Sequence, residues 1–451
     1  MRTSLLHSIV GLLYFGILAG LSVCAGSTSA AAADPVQHFE YSGSLIQPGR
    51  GDGEILRRFE VQLFSAGGVH FFHVADDVRQ GCPWPDSFGA TGPTLPQDLV
   101  QPHLIYPYDG NTYFIVLPPL LVSLPENTEP GATWTHAGWQ MTAQAKKSVN
   151  GTEAWEIEAR EPRGRRQTLL AEASSGTLLR AEADVFMGQG DQFQLTLERA
   201  TSALLPDDQS QSLQKLQTAL LKLQSQLKRR PDAQLAELSE RQVKDAVAAL
   251  DQITALSAGT PLERLTRQIQ SDVEQQKKRL EMVAGRASSI INSVAPQFSL
   301  TLVAGGTLKS DSLKGKTVVL HFWDYKDAPL AEPYGQTGYL EFLFNQRKPQ
   351  DLQVIGISTN QDLTNPENQN RGRRAARKLS EFMNLSYPIG HDDGSLLKSL
   401  GDPRDSRGQL PLWIVISPDG KVTHYHAGFY EIDVTKGLSE LDAAIGAATG
   451  G

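Results

Sequence analysis

Thr317-Val-Val-Leu-His-Phe-Trp-Asp-Tyr-Lys-Asp-Ala-Pro-Leu-Ala-Glu-Pro333 decides the fold of the C-terminal third. Val318 to Trp323 is an apolar run with the length and composition of a strand. A short polar break follows. Asp327 then offers a helix cap, and Pro329 falls in what would be the first turn. A helix is expected through Tyr339, Leu340, Leu343 and Phe344. Strand, loop and helix N-terminus in that order form the place where open α/β sheets hold their ligands.

Further segments fall in register around this one. Ala295-Pro296-Gln297-Phe298-Ser299-Leu300 opens the region, and Leu313-Lys314-Gly315-Lys316 turns into the first apolar strand. Leu352 to Ser358 is a second strand. Leu410-Pro411 precedes a third, Leu412 to Ile416, then a Ser417-Pro-Asp-Gly420 turn and a fourth strand, Lys421 to His426. In this order, over residues 294–446, these segments resemble the thioredoxin superfamily, in particular its TlpA/ResA-type and redoxin (AhpC/TSA-like) branch. The resemblance implies a strand ending in Phe-Trp, three residues, and then Cys-x-x-Cys at a helix N-terminus, followed by Glu and Pro. Phe322-Trp323 and Glu332-Pro333 take their places without a gap, and the two cysteine positions fall on Asp327 and Leu330. The resemblance also implies that Pro411 is a cis-proline shaping a peptide-binding groove with Trp323 and Tyr325.

The family activity is thiol–disulfide exchange or peroxide reduction, and both need a thiolate. The chain has two cysteines, Cys24 and Cys82, so nothing C-terminal to Cys82 can supply one. A carboxylate at Asp327 would keep its charge on the helix dipole and backbone N–H groups, and so would cap the helix. That makes it a poor general base and no redox nucleophile, and Leu330 is inert. Lys326, Tyr325, His321 and Glu332 could form some other polar site, although His321 lies inside the strand and is expected to pack. The expected function is therefore a redox-inactive thioredoxin-like domain binding polypeptide or a partner protein. The alternative is a thiol–disulfide oxidoreductase or peroxide-reducing protein that uses Cys82 or a partner's thiol. No catalytic residue, metal or cofactor is expected.

The whole chain has 451 residues, 40% of them hydrophobic and 20% charged, and a net charge of -8. That length accommodates two to four domains, and the acidic balance argues against a general nucleic-acid binder. Residues 1–33 read as a secretory signal: Arg2, an apolar core from Ile9 to Leu21, and Ala31-Ala32-Ala33 before Asp34. A periplasmic or extracellular location follows. Leu21-Ser22-Val23-Cys24 resembles a lipoprotein box, but Val23 is bulky, so soluble export is preferred. Membrane contact then requires a lipidated Cys24 or an uncleaved leader.

The remaining chain divides into a β-rich domain (34–205), a helical hairpin or coiled-coil connector (206–292) and the thioredoxin-like domain (293–451). Read as a whole, the fold is an N-terminal antiparallel β domain, a helical connector and a C-terminal α/β thioredoxin-like domain. In the first part Leu56 to Phe64 and Trp155 to Ala159 alternate, Tyr113 to Leu117 is a short apolar strand, and Asn150-Gly151 signals a hairpin. Leu178 to Met187 and Gln192 to Leu197 form a closing pair, giving a curved sheet or partial barrel. Gly81-Cys82-Pro83-Trp84-Pro85 is a stiff loop. Cys82 in it is a reactive thiol or, as preferred, a packed cysteine without a resolving partner. His70 and His73 fall on opposite strand faces and are poor joint ligands. Trp134, Trp139 and Trp155 are expected in the core.

In the connector, Leu213, Leu216, Leu220, Leu223 and Leu227 form a heptad seam. It serves either an intramolecular bundle, which is preferred, or a dimer through 213–227. Arg230-Pro231-Asp232 breaks the helix. Leu235, Leu238, Val243, Val247 and Leu250 mark a second helix. Thr260-Pro-Leu-Glu263 is a capping box for a third, carrying Leu262, Leu265, Ile269, Val273 and Leu280. Further on, Arg371 to Lys378 is a basic cluster, read as a solvated helix face rather than a phosphate or acidic-partner dock, with Leu379, Phe382 and Met383 on the buried side. The family resemblance implies a strand end at Asp392-Asp393-Gly394 followed by a helix, here Ser395 to Leu400. His424 and His426 share a strand face and could bind a metal, but with no carboxylate motif nearby a surface pair is preferred.

Overall fold

The structure is a computed structural model. It describes residues 34–49, 53–76, 84–92, 101–162, 164–227, 238–325, 336–347, 351–406, 408–433 and 435–449. Residues 1–33 with Cys24, Cys82, the Arg230-Pro231-Asp232 stretch, Leu235, and the segment holding Lys326, Asp327, Pro329, Leu330, Glu332 and Pro333 lie outside the described residues. No helix among the described residues is long and apolar enough to cross a membrane.

Ten strands of the N-terminal part make one antiparallel sheet. They are β1 (Gln37–Gln47), β2 (Glu54–Ala66), β3 (Val69–Asp76), β4 (Phe88–Thr91), β7 (Thr133–His136), β8 (Trp139–Val149), β9 (Thr152–Arg160), β10 (Arg166–Glu172), β11 (Leu178–Met187) and β12 (Asp191–Leu204), with β5 (His103–Tyr108) and β6 (Asn111–Val116) a separate hairpin. The spatial order β4-β3-β2-β1-β12-β11-β10-β9-β8-β7 leaves the sheet open. Asn150 and Gly151 take positive φ in the β8–β9 turn, which a two-residue hairpin of primed type needs. Alternation puts Tyr41, Val61, Ile157, Leu169, Phe193 and Leu195 on one face. The β5–β6 hairpin and Leu117, Leu120 and Val122 cover it, and Trp155 is buried there with Trp134 and Trp139 packed against it.

Helices α1 (Asp207–Leu227), α2 (Glu240–Ser257) and α3 (Glu263–Ile290) follow. The seam leucines of α1 are buried with Phe64, Phe71, Trp84 and Phe88, and with Val243, Ile253, Leu265 and Ile269 of the neighbouring helices. The seam leucines are thus packed against residues of the same chain. Two expectations are corrected. Val247 is exposed, and Ile253 takes the inward position instead. The Thr260 box does not form: α3 starts at Glu263, whose Oε2 accepts from Gly259 N, while Thr260 Oγ1 donates to the Ser257 carbonyl. The box that does form is Ser239 with Gln242, at the start of α2.

The C-terminal part is a seven-stranded mixed sheet. Its strands are β13 (Ser299–Leu302), β14 (Thr307–Lys309), β15 (Thr317–Trp323), β16 (Leu352–Ser358), β17 (Ile389–His391), β18 (Leu412–Ile416) and β19 (Val422–Ala427), in the order β14-β13-β17-β16-β15-β18-β19. β15, β16 and β17 run parallel; β18 and β19 return antiparallel. Helices α4 (Thr337–Arg347) and α7 (Ser439–Thr449) cover one face. The end of α3 and α6 (Ser395–Ser399) cover the other, so the connector is continuous with this core. The helix expected after Asp392-Asp393-Gly394 is α6, ending at Ser399, and Asp392 Oδ2 accepts from the N–H groups of Leu396 and Leu397 in its first turn. On α5 (Gln369–Phe382) the buried residues are Gly372, Ala375, Ala376 and Leu379, whereas Phe382, expected inside, is 70% exposed. Small alanines let α5 lie close to the sheet, and Phe382 falls off that stripe.

Candidate functional site

β15 ends at Trp323, and β18 begins just after Pro411. In the β15–β18 ladder Phe322 faces Leu412, so extending the register by one residue sets Trp323 opposite Pro411. The Leu410–Pro411 peptide is cis, and the Pro411 carbonyl accepts from Gly428 N at 2.8 Å. Beyond Trp323 the chain is pinned to the end of β16. The Trp323 carbonyl accepts from Thr359 N at 2.8 Å, and the Tyr325 carbonyl from Asn360 Nδ2 at 3.0 Å. Asn360 is itself buried and caps the next turn through Asp362 N.

The expected groove residues are therefore brought together, but unequally. Trp323 is 2% exposed, packed with Val303, Ala376, Leu379 and Ile389, and cannot touch a ligand directly. Pro411 is also buried. Tyr325 is partly exposed beside the same cluster, and is the side chain of the three that can meet solvent. Around this end Arg404 makes a two-pronged pair with Asp402, at 2.9 and 2.6 Å. That pairing, with Asp324 and Asp405 further off, raises the Arg404 pKa. His391 nearby is pushed below the usual imidazole value by burial first and Arg373 second.

A second polar cluster lies on the α4/α7 face. His321, Trp413 and His426 stand side by side across β15, β18 and β19. As expected, His321 packs, stacked on Trp413 at 3.7 Å. Tyr430 lies flat on His426 at 3.9 Å, and its hydroxyl is 2.7 Å from His424 Nε2. The Gln336 amide clamps the Tyr430 backbone, accepting from its N–H and donating to its carbonyl. His424 and His426 share one face, as their spacing predicts, but they are half-buried rather than a surface pair. Sequence reasoning missed the carboxylate that joins them. Glu440, in the first turn of α7, brings Oε1 to 3.7 Å from His426 Nδ1. Burial depresses both imidazoles, that of His426 to about 4. Burial, then Glu240 and Glu431, raises Glu440.

Residues 291–425 match the AhpC/TSA family. A curated relative, the thiol-disulfide oxidoreductase ResA of Bacillus cereus, is 26% identical over 132 residues, 29% of this chain and 66% of that protein. The chain thus spans just under two thirds of the length of the curated relative it matches. Similar solved structures include a thiol:disulfide interchange protein from Bacteroides sp. (20% identity, 36% of this chain and 91% of that one, TM-score 0.27). Another is a secreted disulfide oxidoreductase of Mycobacterium tuberculosis (20% identity, 34% and 96% coverage, TM-score 0.26). The C-terminal third of the chain, residues 291–425, is a redoxin domain of the AhpC/TSA family, within the thioredoxin-like superfamily.

Proposed function

We propose that this is an exported protein whose redoxin domain binds extended polypeptide and does not exchange disulfides. One observation carries the reading: the redoxin domain contains no cysteine, because the chain's two are Cys24 and Cys82. Asp327 and Leu330 stand at the positions where the family pattern has its redox pair. A carboxylate and an isobutyl group can neither attack a disulfide nor form one. The end of β15, cis-Pro411 and Tyr325 are retained, and they supply a strand end and an aromatic edge suited to extended backbone. The β-rich part 34–205 and the connector 206–292 would then carry this domain as one unit, since α3 belongs to both helical and redoxin cores. Export rests on the leader-like residues 1–33.

The probe is a fluorescently labelled, reduced and carboxymethylated insulin B chain, titrated with the full chain. Saturable binding that weakens about fivefold or more with Tyr325→Ala supports the reading. No binding, or binding indifferent to Tyr325→Ala, sinks it.

A further inference from the structure

The redoxin reading makes no use of the His424–His426–Glu440 cluster. We propose that His424, His426 and Glu440 bind a first-row divalent cation of the Zn2+ class at the edge of the redoxin sheet. One ligand atom from each of the three lies within 4.8 Å of the others. Two residues apart on a strand, the two imidazoles project from the same face, and their rings are nearly parallel, 4° apart. The donor set, two imidazoles and a carboxylate, is one that holds zinc with a position left open.

The distances fit a shared ion better than a direct contact. At 3.7 Å, Nδ1 of His426 and Oε1 of Glu440 are too far apart for a hydrogen bond. Ligand atoms around a tetrahedral zinc with bonds of 2.0–2.1 Å stand about 3.3 Å apart. Glu440, whose side chain is 60% exposed, can turn about its own bonds to close its part of the gap. The two imidazoles, with ring centroids 6.4 Å apart, must also draw together by small side-chain rotations. Tyr430 orients them, by stacking on His426 and by its hydroxyl on His424 Nε2. An outer hydrogen bond of that kind orients a metal-binding histidine.

The surroundings favour a cation as well. Glu240 and Glu431 add negative charge beside Glu440. The nearby Arg241 is committed to Glu431, at 2.9 Å, and among the described residues no lysine or arginine pairs with Glu440. The site would also lie at the joint with α2, whose Ser239 and Arg241 hold Glu431, so a bound ion would stiffen that joint.

The test uses the full chain with Cys24→Ser and Cys82→Ser, so that no thiol competes, titrated with Co2+ after chelator treatment. One equivalent should bind with the visible bands of low-coordinate cobalt, and Zn2+ should displace it. Zn2+ should also raise the melting temperature. Glu440→Gln, an exposed and nearly isosteric change, should weaken binding by about tenfold or more. The triple variant with His424→Gln and His426→Gln should abolish both signals. Co2+ uptake no greater than that of the triple variant, or a Glu440→Gln protein binding as tightly as its parent, overturns the proposal. Glu440→Gln keeps the test valid even if the histidine changes disturb folding.

Discussion

β2 and β15 are both central strands, and they meet water differently. In β2, Phe59, Val61 and Leu63 are buried while Arg58 and Glu60 are exposed. In β15 every residue from Thr317 to Trp323 is buried, His321 included. The cause is layering. β15 lies between β16 and β18, with α4 and α7 on one face and α3 and α6 on the other. A parallel strand covered on both faces must be apolar throughout, whereas an antiparallel strand can wet one face. The redoxin strand therefore cannot carry chemistry along its length. In this strand only the end, by Trp323 and Pro411, reaches the edge of the packed layers.

Mutation at the two parities of each strand tests that contrast most severely. Phe322→Ala and Val319→Ala point to opposite faces of β15 and should both destabilise, by about 3–5 kcal/mol for the former and somewhat less for the latter. Over the first part of β2, before Phe64 meets the helices, only one parity should matter, so Arg58→Ala should stay within about 0.5 kcal/mol. Urea unfolding of the three proteins gives the ranking. A large loss at Arg58, or none at Val319, would break the contrast.

Acid should next expose the antiparallel sheet. His73 in β3 is buried, and burial first and Arg264 second hold its pKa down at about 4. The unfolded chain takes up this proton near pH 6.5 and the folded protein only near 4. The stability due to neutral His73 is thus whole above pH 6.5 and falls as pH drops towards 4, by about 3 kcal/mol in total. His73→Gln should flatten that part of the pH–stability curve. An unchanged slope would show that His73 is open to water in solution.

The smallest effect concerns the joint between the two halves. Ser239 completes the α2 capping box, and its hydroxyl also reaches Glu431 Oε1 at 3.0 Å. Ser239→Ala should cost about 1 kcal/mol. Glu431→Gln should cost less, since its partners Ser239 and Arg241 are surface groups. Equal losses would mean that the contact with Glu431, rather than the cap, carries the joint.

What was legible in the sequence follows the same contrast. The run Val318 to Trp323, the Leu410-Pro411 step, the Asn150-Gly151 turn and the α1 leucine seam declare themselves because each is a local pattern with a single geometric use. Phe382 misleads because an apolar residue at a helical interval reads as inward, while the face that packs is lined by Ala375 and Ala376. The Thr260 box failed because both of its side chains satisfy other partners. Glu440 was invisible as a neighbour of His424 and His426, since the approach of α7 to β19 is a tertiary event without a local signature.

The central claim is that the redoxin domain has kept its fold without thiol chemistry. The most direct measurement is insulin disulfide reduction by three proteins: the native chain, Cys82→Ser, and the chain with Asp327→Cys and Leu330→Cys together. We predict no turnover from the first two and measurable reduction from the third. Turnover by the native chain that disappears with Cys82→Ser would contradict the account and move the active site to the Gly81-Cys82-Pro83 loop.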